Sequence, residues 1–325
     1  MANRIPFSQL VRGSAWRSEA EGWVADAVGG LGARITGVTQ PRVRPWSTQL
    51  VVETTRGRFW FKANCAASAF EPQLQSVLAG LAPGDVDQPV AIDAERGWML
   101  TADRGATLPE SREPTPDDWV AVVRAWAGLQ HLVASDRDEL LAAGLPDCGP
   151  ETVPTRFDDL LGRLTTLPAG HPSHLDGSGA TRLARARYLV EDAAATLADG
   201  PFPVTLQHGD LHPWNVFLVD GSLRIFDFGD TQWAHPLESL MVPRAVVEAA
   251  GRIPWEPIQT AFLKTWELPV EAGAMVELLR AAQVTHAVNR ASSWWDALAE
   301  ATDAERDDWG EAPARHLARV VEGQT

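Results

Sequence analysis

Three oxygen-bearing side chains follow one another in residues 206–230, which read LQHGDLHPWNVFLVDGSLRIFDFGD. Asp210 comes first, Asn215 stands five residues later, and Asp227 ends the segment's second apolar stretch. Carboxylate and amide oxygens are ligands that a hard cation such as Mg²⁺ prefers. A further carboxylate near such a cation can accept or orient an incoming hydroxyl during phosphoryl transfer. This order indicates phosphoryl-transfer chemistry, with Asn215 and Asp227 as metal ligands and Asp210 as catalytic base or as the group that orients the hydroxyl.

A short strand pair between these residues must bring them together. VFLV at 216–219 and LRIF at 223–226 predict two strands, and Asp220-Gly221-Ser222 predicts the turn that joins them. A hairpin of this kind returns the chain to its starting point. The loop that carries Asp210 and Asn215 should therefore lie beside Asp227.

HGDLHPWN at 208–215 and IFDFGD at 225–230 resemble the aminoglycoside phosphotransferase and choline kinase-like superfamily, which is related to the protein kinases. Protein kinases share the order of aspartate, asparagine and D-F-G. They carry arginine where this chain has Gly209, so the resemblance is to the small-molecule branch and covers about residues 40–325. It implies an α+β, two-lobed protein-kinase-like fold that uses ATP and Mg²⁺ to phosphorylate a hydroxyl of a small molecule.

Lys62 is one of only two lysines in the chain and lies in the apolar stretch FWFKAN. Glu71 opens a stretch, 71–81, whose leucines and valine have helical spacing. The resemblance implies that Lys62 neutralises the ATP phosphates and that Glu71 holds the lysine in place. The alternative is a strand lysine that extends its ammonium to solvent.

The resemblance also places the adenine. GWMLTADRG at 97–105 is similar to the hinge between two kinase lobes. The backbone from Thr101 to Asp103 would bind adenine there, with Met99 and Leu100 packing nearby.

The loop over the phosphates departs from the kinase pattern. Pro45-Trp46-Ser47-Thr48-Gln49 stands where protein kinases have G-x-G-x-x-G. In place of the exposed glycine N–H groups, Ser47 and Thr48 would supply hydroxyl and backbone donors.

Two lobes follow from the distribution of strand and helix patterns. We expect a small strand-rich nucleotide-binding lobe, residues 1–102, and a larger helical lobe for catalysis and substrate binding, residues 103–325. The elements expected are helix in 1–35, strands at 50–53, 58–61 and 97–102, helices from 115 and over 181–198 and 237–322, and loops at 144–154 and 166–179.

Other residues of the central segment have competing interpretations. His208 fits a hydrogen-bonding group that steadies the loop better than a proton carrier, while His212 could contact the transferring phosphate or stand in solvent. Asp230 could face the substrate or cap a turn, and Glu238 fits a structural role. His208, Asp210 and His212 could also form a zinc-hydrolase cluster, although no further ligand at a usual spacing supports it.

The amino-acid composition limits the kinds of binding partner that we expect. A net charge of −15 disfavours nucleic acid and favours a cationic acceptor such as an aminoglycoside or amino sugar, although solubility alone would also explain it. Choline- or homoserine-type acceptors and a catalytically silent nucleotide-binding protein are the alternatives. Without an apolar span or export signal, and with Cys65 and Cys148 as reduced thiols, we expect a cytoplasmic protein; the oligomeric state is not indicated.

Overall fold

The computed structural model describes residues 5–219 and 221–324. Its strands are β1 (Ile35–Val43), β2 (Ser47–Thr54), β3 (Gly57–Asn64), β4 (Ala91–Asp93), β5 (Trp98–Ala102), β6 (Thr205–Gln207), β7 (Val216–Val219), β8 (Ser222–Ile225) and β9 (Gln232–Ala234). Its helices are α1 (Phe7–Leu10), α2 (Ser14–Gly30), α3 (Glu71–Leu81), α4 (Leu108–Ser111), α5 (Pro116–Leu132), α6 (Arg137–Ala142), α7 (Val153–Thr166), α8 (Gly177–Arg185), α9 (Arg187–Ala198), α10 (Met241–Ala250), α11 (Trp255–Trp266), α12 (Ala272–Ala297), α13 (Asp303–Trp309) and α14 (Ala312–Ala318). Short 3₁₀ turns occupy Ala66–Ser68, Pro150–Thr152, Pro213–Asn215, Phe228–Asp230, Pro236–Leu240 and Arg319–Gln324.

The N-terminal part is built on an antiparallel sheet in the order β1-β2-β3-β5-β4. One face of this sheet is apolar because β2 and β3 alternate buried and more exposed side chains, as a half-covered sheet requires. Helix α2 covers that face, and its Trp16 and Trp23 make edge or tilted contacts with Phe61 and Trp98. The sheet therefore holds Lys62, one residue beyond Phe61, in a fixed position.

Helix α3 starts at Glu71, has Pro72 in its first turn and buries Leu74 and Leu78 completely. A proline in the first turn costs no hydrogen bond, because the N–H that it lacks has no partner within the helix. The predicted helix over 71–81 is confirmed. Leu74 and Leu78 join the core of the helical part, so α3 packs against both parts of the molecule.

The C-terminal part is helical. A capping box between Thr115 and Asp118 begins α5, as the Thr-Pro-Asp-Asp start predicts. The 26-residue helix α12 packs against α7, α9 and α14, and α11 packs against α5. Between these helices lie the small sheets β6–β9 and β7–β8. The predicted two-lobed α+β kinase-like fold is confirmed.

Several expected elements differ from the structure. The helix expected over 181–198 is two helices, α8 and α9, which meet at Ala186. The loop expected over 144–154 contains a 3₁₀ turn and the first residues of α7. Strands β1, β4, β6 and β9 were not predicted. In the hairpin, β7 matches the expected strand, whereas Asp220 of the expected turn lies outside the described residues.

Cys65 and Cys148 are free and buried. Within residues 5–219 and 221–324, no helix combines the length and the apolar character that a membrane span needs.

Candidate active site

The β7–β8 hairpin brings the three oxygen-bearing side chains to one place. Val216 pairs with Ile225 at its open end, so Asn215 and Phe226 lie side by side. The Phe226 N–H donates to the Asn215 carbonyl at 3.1 Å. The Asn215 Nδ2 donates to the Asp210 carbonyl at 2.9 Å, which fixes the loop between them. That bond uses the nitrogen of the Asn215 amide and leaves its oxygen for another partner.

His208 is buried and anchors this loop from below. Its Nε2 donates to the Phe226 carbonyl at 3.1 Å, while its Nδ1 accepts from the Asp210 N–H at 3.3 Å. Burial lowers the pKa of His208, which keeps the ring neutral, as one donating and one accepting nitrogen require. The expected steadying role of His208 agrees with this geometry. Because both ring nitrogens are engaged within the loop, the zinc-cluster interpretation loses its first ligand.

Gly209 lies in the left-handed region, with φ at +79°. A Cβ built at this position would lie 2.2 Å from the Asp230 carbonyl oxygen, far inside van der Waals contact. Only glycine fits between the catalytic loop and the segment after Asp227. Gly209, which stands where protein kinases carry arginine, is therefore required here for a steric reason.

The structure brings Lys62, Glu71 and Asp227 together in the cleft. The Lys62 Nζ lies 2.8 Å from Glu71 Oε1, 2.6 Å from Glu71 Oε2 and 2.6 Å from Asp227 Oδ1. The Asn64 side chain donates to Glu71 Oε2 at 2.9 Å. Burial alone would lower the pKa of Lys62, but Asp227 and Glu71 outweigh it and raise that pKa above its ordinary value. Lys62 therefore stays charged and is held by carboxylates from two parts of the fold.

Asp227 has a φ of +67°, in the left-handed region that a non-glycine residue seldom adopts. Such strained positions cluster at functional sites, where surrounding contacts enforce them. Burial would raise the pKa of Asp227, but the Lys62 ammonium outweighs burial and lowers it. Asp227 is therefore ionised at neutral pH.

Asp210 has two cationic or ionisable neighbours. His212 Nε2 lies 3.3 Å from its Oδ2, and Arg290 Nη2 lies 3.6 Å from its Oδ1. Burial acts to raise the pKa of Asp210, but the His212 hydrogen bond and the Arg290 charge lower it to about 2. Asp230 is the second partner of Arg290, at 2.9 Å. Asp230 thus faces this site through an ion pair.

Sequence reasoning did not identify Arg290. It follows Asp210 by eighty positions, on α12, and reaches the loop only through tertiary packing. Its one signal is a charged residue within the otherwise uncharged stretch AAQVTHAVNRASSWW, since a buried arginine needs carboxylate partners.

A cavity of about 680 Å³ lies between the sheet and the helical part. Lys62, Glu71, Asp210, Asn215 and Asp227 all line it. Further lining residues include Trp46, Met99, Phe217, Phe226, Asp230, Arg290 and Trp294. The predicted catalytic and metal residues and the lysine–glutamate pair therefore share one cavity.

The two residues expected over the phosphates differ in position. Ser47 lines the cavity, whereas the buried Thr48 hydroxyl points into the sheet. There it donates to the Arg42 carbonyl at 2.8 Å and accepts from Gln40 Nε2 at 2.9 Å. Both contacts of the Thr48 hydroxyl thus lie within the sheet. They join β2 to β1 where the pairing of these two strands is irregular, near Arg42.

The residues expected at the hinge also lie in different surroundings. Thr101 lines the cavity, whereas Leu100 is fully buried in the core of the N-terminal part. The Asp103 carboxylate accepts from Trp60 Nε1 at 3.1 Å and from the Gly105 N–H at 3.1 Å, which makes it a turn residue. The pairing of β4 with β5 ends at Leu100, so the edge of β5 at Thr101 and beyond is open toward the cavity.

Within the described part of the chain, no three His, Cys, Asp or Glu side chains form a group that could hold a metal ion.

The model of the phosphotransferase enzyme family matches residues 52–242, more than half of the chain. The chain belongs to this family. The match contains Lys62, Glu71 and the whole segment from His208 to Asp230. No curated protein matches the sequence of this phosphotransferase at a significant level.

Solved structures resemble this phosphotransferase in fold. An aminoglycoside phosphotransferase, so described provisionally, from Ralstonia eutropha aligns with a TM-score of 0.58 at 13% identity, over 94% of this chain and 97% of its own. An ethanolamine kinase from Plasmodium vivax gives 0.60 at 12% identity, over 86% and 82%. A spectinomycin phosphotransferase in complex with ADP and spectinomycin gives 0.52 at 10% identity, over 92% and 97%. At these identities the likeness concerns the fold alone.

Proposed function

We propose that this phosphotransferase transfers the γ-phosphoryl group of ATP, with Mg²⁺, to a hydroxyl of a small cationic, hydroxyl-rich molecule such as an aminoglycoside or amino sugar. One observation carries the proposal. The Lys62–Glu71 pair, Asp227, Asn215 and Asp210 all line a single cavity, where Lys62 contacts Asp227 and Asn215 is bonded to the Asp210 backbone. Lys62 and Glu71 would set the nucleotide phosphates, while Ser47 and the open edge of β5 at Thr101 would contact the rest of the nucleotide.

The residues present fit Mg²⁺. Asn215 has its amide oxygen outside the bond to Asp210, and Asp227 has a second carboxylate oxygen beyond the one that contacts Lys62. Mg²⁺ commonly takes one or two protein oxygens and completes its shell with phosphates and water. Asn215 and Asp227 would hold it, and the bound ion would neutralise charge on the phosphates.

Asp210 would orient the acceptor. A carboxylate with a pKa of about 2 is a weak base, so it would accept a hydrogen bond from the hydroxyl before it takes the proton. The acceptor oxygen forms its bond to the γ-phosphorus, the bond from that phosphorus to the ADP oxygen breaks, and the hydroxyl proton passes to Asp210. A loose transition state makes this positioning more important than basicity.

The acceptor end of the cavity favours a cation. Asp210 and Asp230 face it with two negative charges, and Arg290 supplies one positive charge between them. Arg42 lies exposed at the rim. The net charge of −15 adds long-range attraction for the same sign of ligand. Choline-, ethanolamine- or homoserine-type acceptors fit the reaction type as alternatives.

The division of labour between lobes is part of the same proposal. Residues 1–102 would bind the nucleotide and residues 103–325 would supply catalysis and the acceptor site. Strand β5 ends at Ala102, and the catalytic loop, the hairpin and α12 all follow it.

A phosphate-transfer screen tests the function. The purified protein is incubated with MgATP and a panel of aminoglycosides, amino sugars, choline, ethanolamine and homoserine, and the products are read by mass spectrometry. We expect a gain of one phosphate on a cationic acceptor. The Asp210→Asn variant should lose turnover while calorimetry shows MgATP affinity within about twofold of the parent protein, because Asp210 acts on the acceptor. The matched control is Asp199→Asn, an exposed aspartate after α9.

Two outcomes would contradict the proposal. Unchanged transfer by Asp210→Asn would remove Asp210 from the reaction. MgATP binding without transfer to any acceptor in the panel would favour the catalytically silent alternative.

A further inference from the structure

The acceptor end of the cavity contains one guanidinium between two carboxylates. Arg290 Nη1 lies 2.9 Å from Asp230 Oδ1, and Arg290 Nη2 lies 3.6 Å from Asp210 Oδ1. A guanidinium presents its donors in a rigid planar fork, so one contact fixes the direction of the other. The position of Asp210 is thereby tied to that of Asp230.

Arg290 is itself held firmly. Its side chain is only 10% exposed, and it stands on the 26-residue helix α12 with its charge 5.4 Å from the centre of the Trp294 ring, one turn away. Asp230 receives a second bond, from the Ser293 hydroxyl at 3.0 Å on the same helix. Helix α12 therefore holds Asp230 through two side chains and reaches Asp210 through one of them.

Asp230 also contacts the catalytic loop through its backbone. Its carbonyl oxygen occupies the space where a side chain on Gly209 would lie. Gly209 directly precedes Asp210, so the chain around Asp210 rests against the residue that anchors Arg290. The loop is thus fixed to α12 at its backbone and at its reactive side chain.

The cavity has a second cation with the same arrangement at its other end, where Lys62 bridges Glu71 and Asp227. Without Arg290, the Asp210 and Asp230 carboxylates would face each other without a cation between them and would repel. The Asp210 carboxylate would then still have its contact with His212, at 3.3 Å, but would have lost its contact with Arg290.

We propose that Arg290 is a positioning residue, which acts through Asp210 and aims its carboxylate at the acceptor hydroxyl. This inference rests on the proposed function. A contact of Arg290 with the transferring phosphate is the competing role, since Arg290 also lines the cavity.

The variants are Arg290→Gln, which removes the charge, and Arg290→Lys, which keeps it without the fork. Arg280→Gln is the control, because Arg280 is an exposed arginine on the same helix. ADP formation from MgATP is measured with water as the acceptor and with any acceptor that the screen identifies. Thermal melting confirms that each variant is folded.

Positioning through Asp210 predicts a split between kcat and KM. Arg290→Gln should lower kcat by about 10²-fold, as displacement of a reacting group by about 1 Å does, while the KM for ATP stays within about twofold. Arg290→Lys should recover part of the loss, and Arg280→Gln should match the parent protein.

A different pattern overturns the inference. An undiminished kcat in Arg290→Gln or a raised KM for ATP would each assign Arg290 elsewhere, the raised KM to the phosphate. If the parent protein forms no ADP, the proposed function fails instead.

A double-mutant cycle measured by denaturation tests the contact between Arg290 and Asp210 without any turnover assay. The single variants Arg290→Gln and Asp210→Asn and their combination are unfolded in urea, and we expect the midpoint shifts to be non-additive because the side chains interact. Additive shifts would show that Arg290 does not hold Asp210, whatever the acceptor is.

Discussion

The Gly209 backbone lies close to the Asp230 backbone, directly before Asp210 in the chain. Gly209 combines a φ of +79° with a Cβ position already occupied by the Asp230 carbonyl. Gly221, in the hairpin turn, has nearly the same φ, +80°, but nothing within 4 Å of its Cβ position. The two glycines therefore separate the cost of backbone conformation from the cost of a clash.

Gly209→Ala should destabilise the protein by several kcal/mol more than Gly221→Ala does, because the clash adds to a conformational cost of about 1–2 kcal/mol. It should also abolish transfer, since the loop must move and take Asp210 with it. Urea denaturation and the phosphate-transfer assay measure the two effects. Equal stability of the two variants would show that the loop yields freely at Gly209.

Glu238 is fully buried between the catalytic segment and α12. The Thr285 hydroxyl donates to it at 2.8 Å and the Asn289 amide at 3.1 Å. Burial raises the pKa of Glu238 to about 7, and these hydrogen bonds offset the rise only in part. The expected structural role of Glu238 agrees with this placement, which joins the Pro236–Leu240 turn to α12.

The raised pKa of Glu238 makes stability depend on pH. The folded value, about 7, exceeds the ordinary 4.5, so the contribution of Glu238 is fully present below pH 4.5 and is lost as pH rises to 7. Glu238→Gln removes this dependence. Between pH 4.5 and 7, the free energy of unfolding of Glu238→Gln should rise relative to that of the parent protein by on the order of 3 kcal/mol. Urea denaturation across that range measures the difference, with exposed Glu311→Gln as the control. A constant difference would mean that Glu238 is ionised when folded.

The residues found from sequence and those missed differ in how the chain brings them together. Asp210 and Asn215 come just before one hairpin and Asp227 comes just after it, so their spacing along the chain carries the geometry. Lys62 and Glu71 are joined by a strand and the helix that follows it. Arg290 reaches Asp210 only because α12 packs across the catalytic part, and no local spacing encodes such a contact. Thr48 was misplaced because strand register, which decides the face of each side chain, was not fixed by the pattern.

At the scale of elements, the turn between β1 and β2 contacts the far side of the cleft. Trp46 in this turn makes edge contacts with Trp294 of α12 and Trp309 of α13, both with ring centres 5.4 Å apart. Trp294 and Trp309 stack on each other at 6.0 Å. This turn stands where protein kinases have a glycine-rich loop, and here aromatic packing ties it to the C-terminal helices.

Trp46→Ala should lower the free energy of unfolding by about 2–3 kcal/mol, somewhat less than for a fully buried tryptophan, because Trp46 is half-buried. Trp46→Phe should keep much of that stability, since an aromatic ring preserves the edge contacts. Trp214→Ala is the matched control at an exposed tryptophan and should change stability by less than about 0.5 kcal/mol. Equal losses for Trp46→Ala and Trp214→Ala would show that the turn is not tied down.

Element boundaries were predictable where local chemistry marks them. The Thr115 capping box and the proline after Glu71 fixed the starts of α5 and α3. The break at Ala186 has no proline or glycine to signal it, so one continuous helix was expected. Strands β6 and β9 are three residues each and exist through pairing with one another, a long-range contact that no short pattern shows.

At the scale of the whole molecule, charge is unevenly matched. Two cations, Lys62 and Arg290, each bridge a pair of carboxylates inside the cavity. The whole chain has 43 acidic and 28 basic residues, an excess of 15 negative charges. We expect this excess to attract a cation toward the cavity before any specific contact forms, whereas a charge that serves solubility alone would not affect turnover.

The salt dependence of turnover separates attraction from solubility. If the acidic surface steers a cationic acceptor, kcat/KM for that acceptor should fall by about tenfold or more between roughly 0.02 and 0.5 M salt. Over this range the Debye length shrinks to a few ångströms, so the surface field becomes screened. An uncharged acceptor of similar size should show a much smaller change under the same MgATP concentration, which controls for effects of salt on nucleotide binding. Asp210 and Asp230 would attract the bound acceptor at short range, where salt screens little. The value of kcat should therefore change little, and the effect of salt should appear in the association of the acceptor. Equal salt dependence for the two acceptors would leave the excess charge with solubility as its only role.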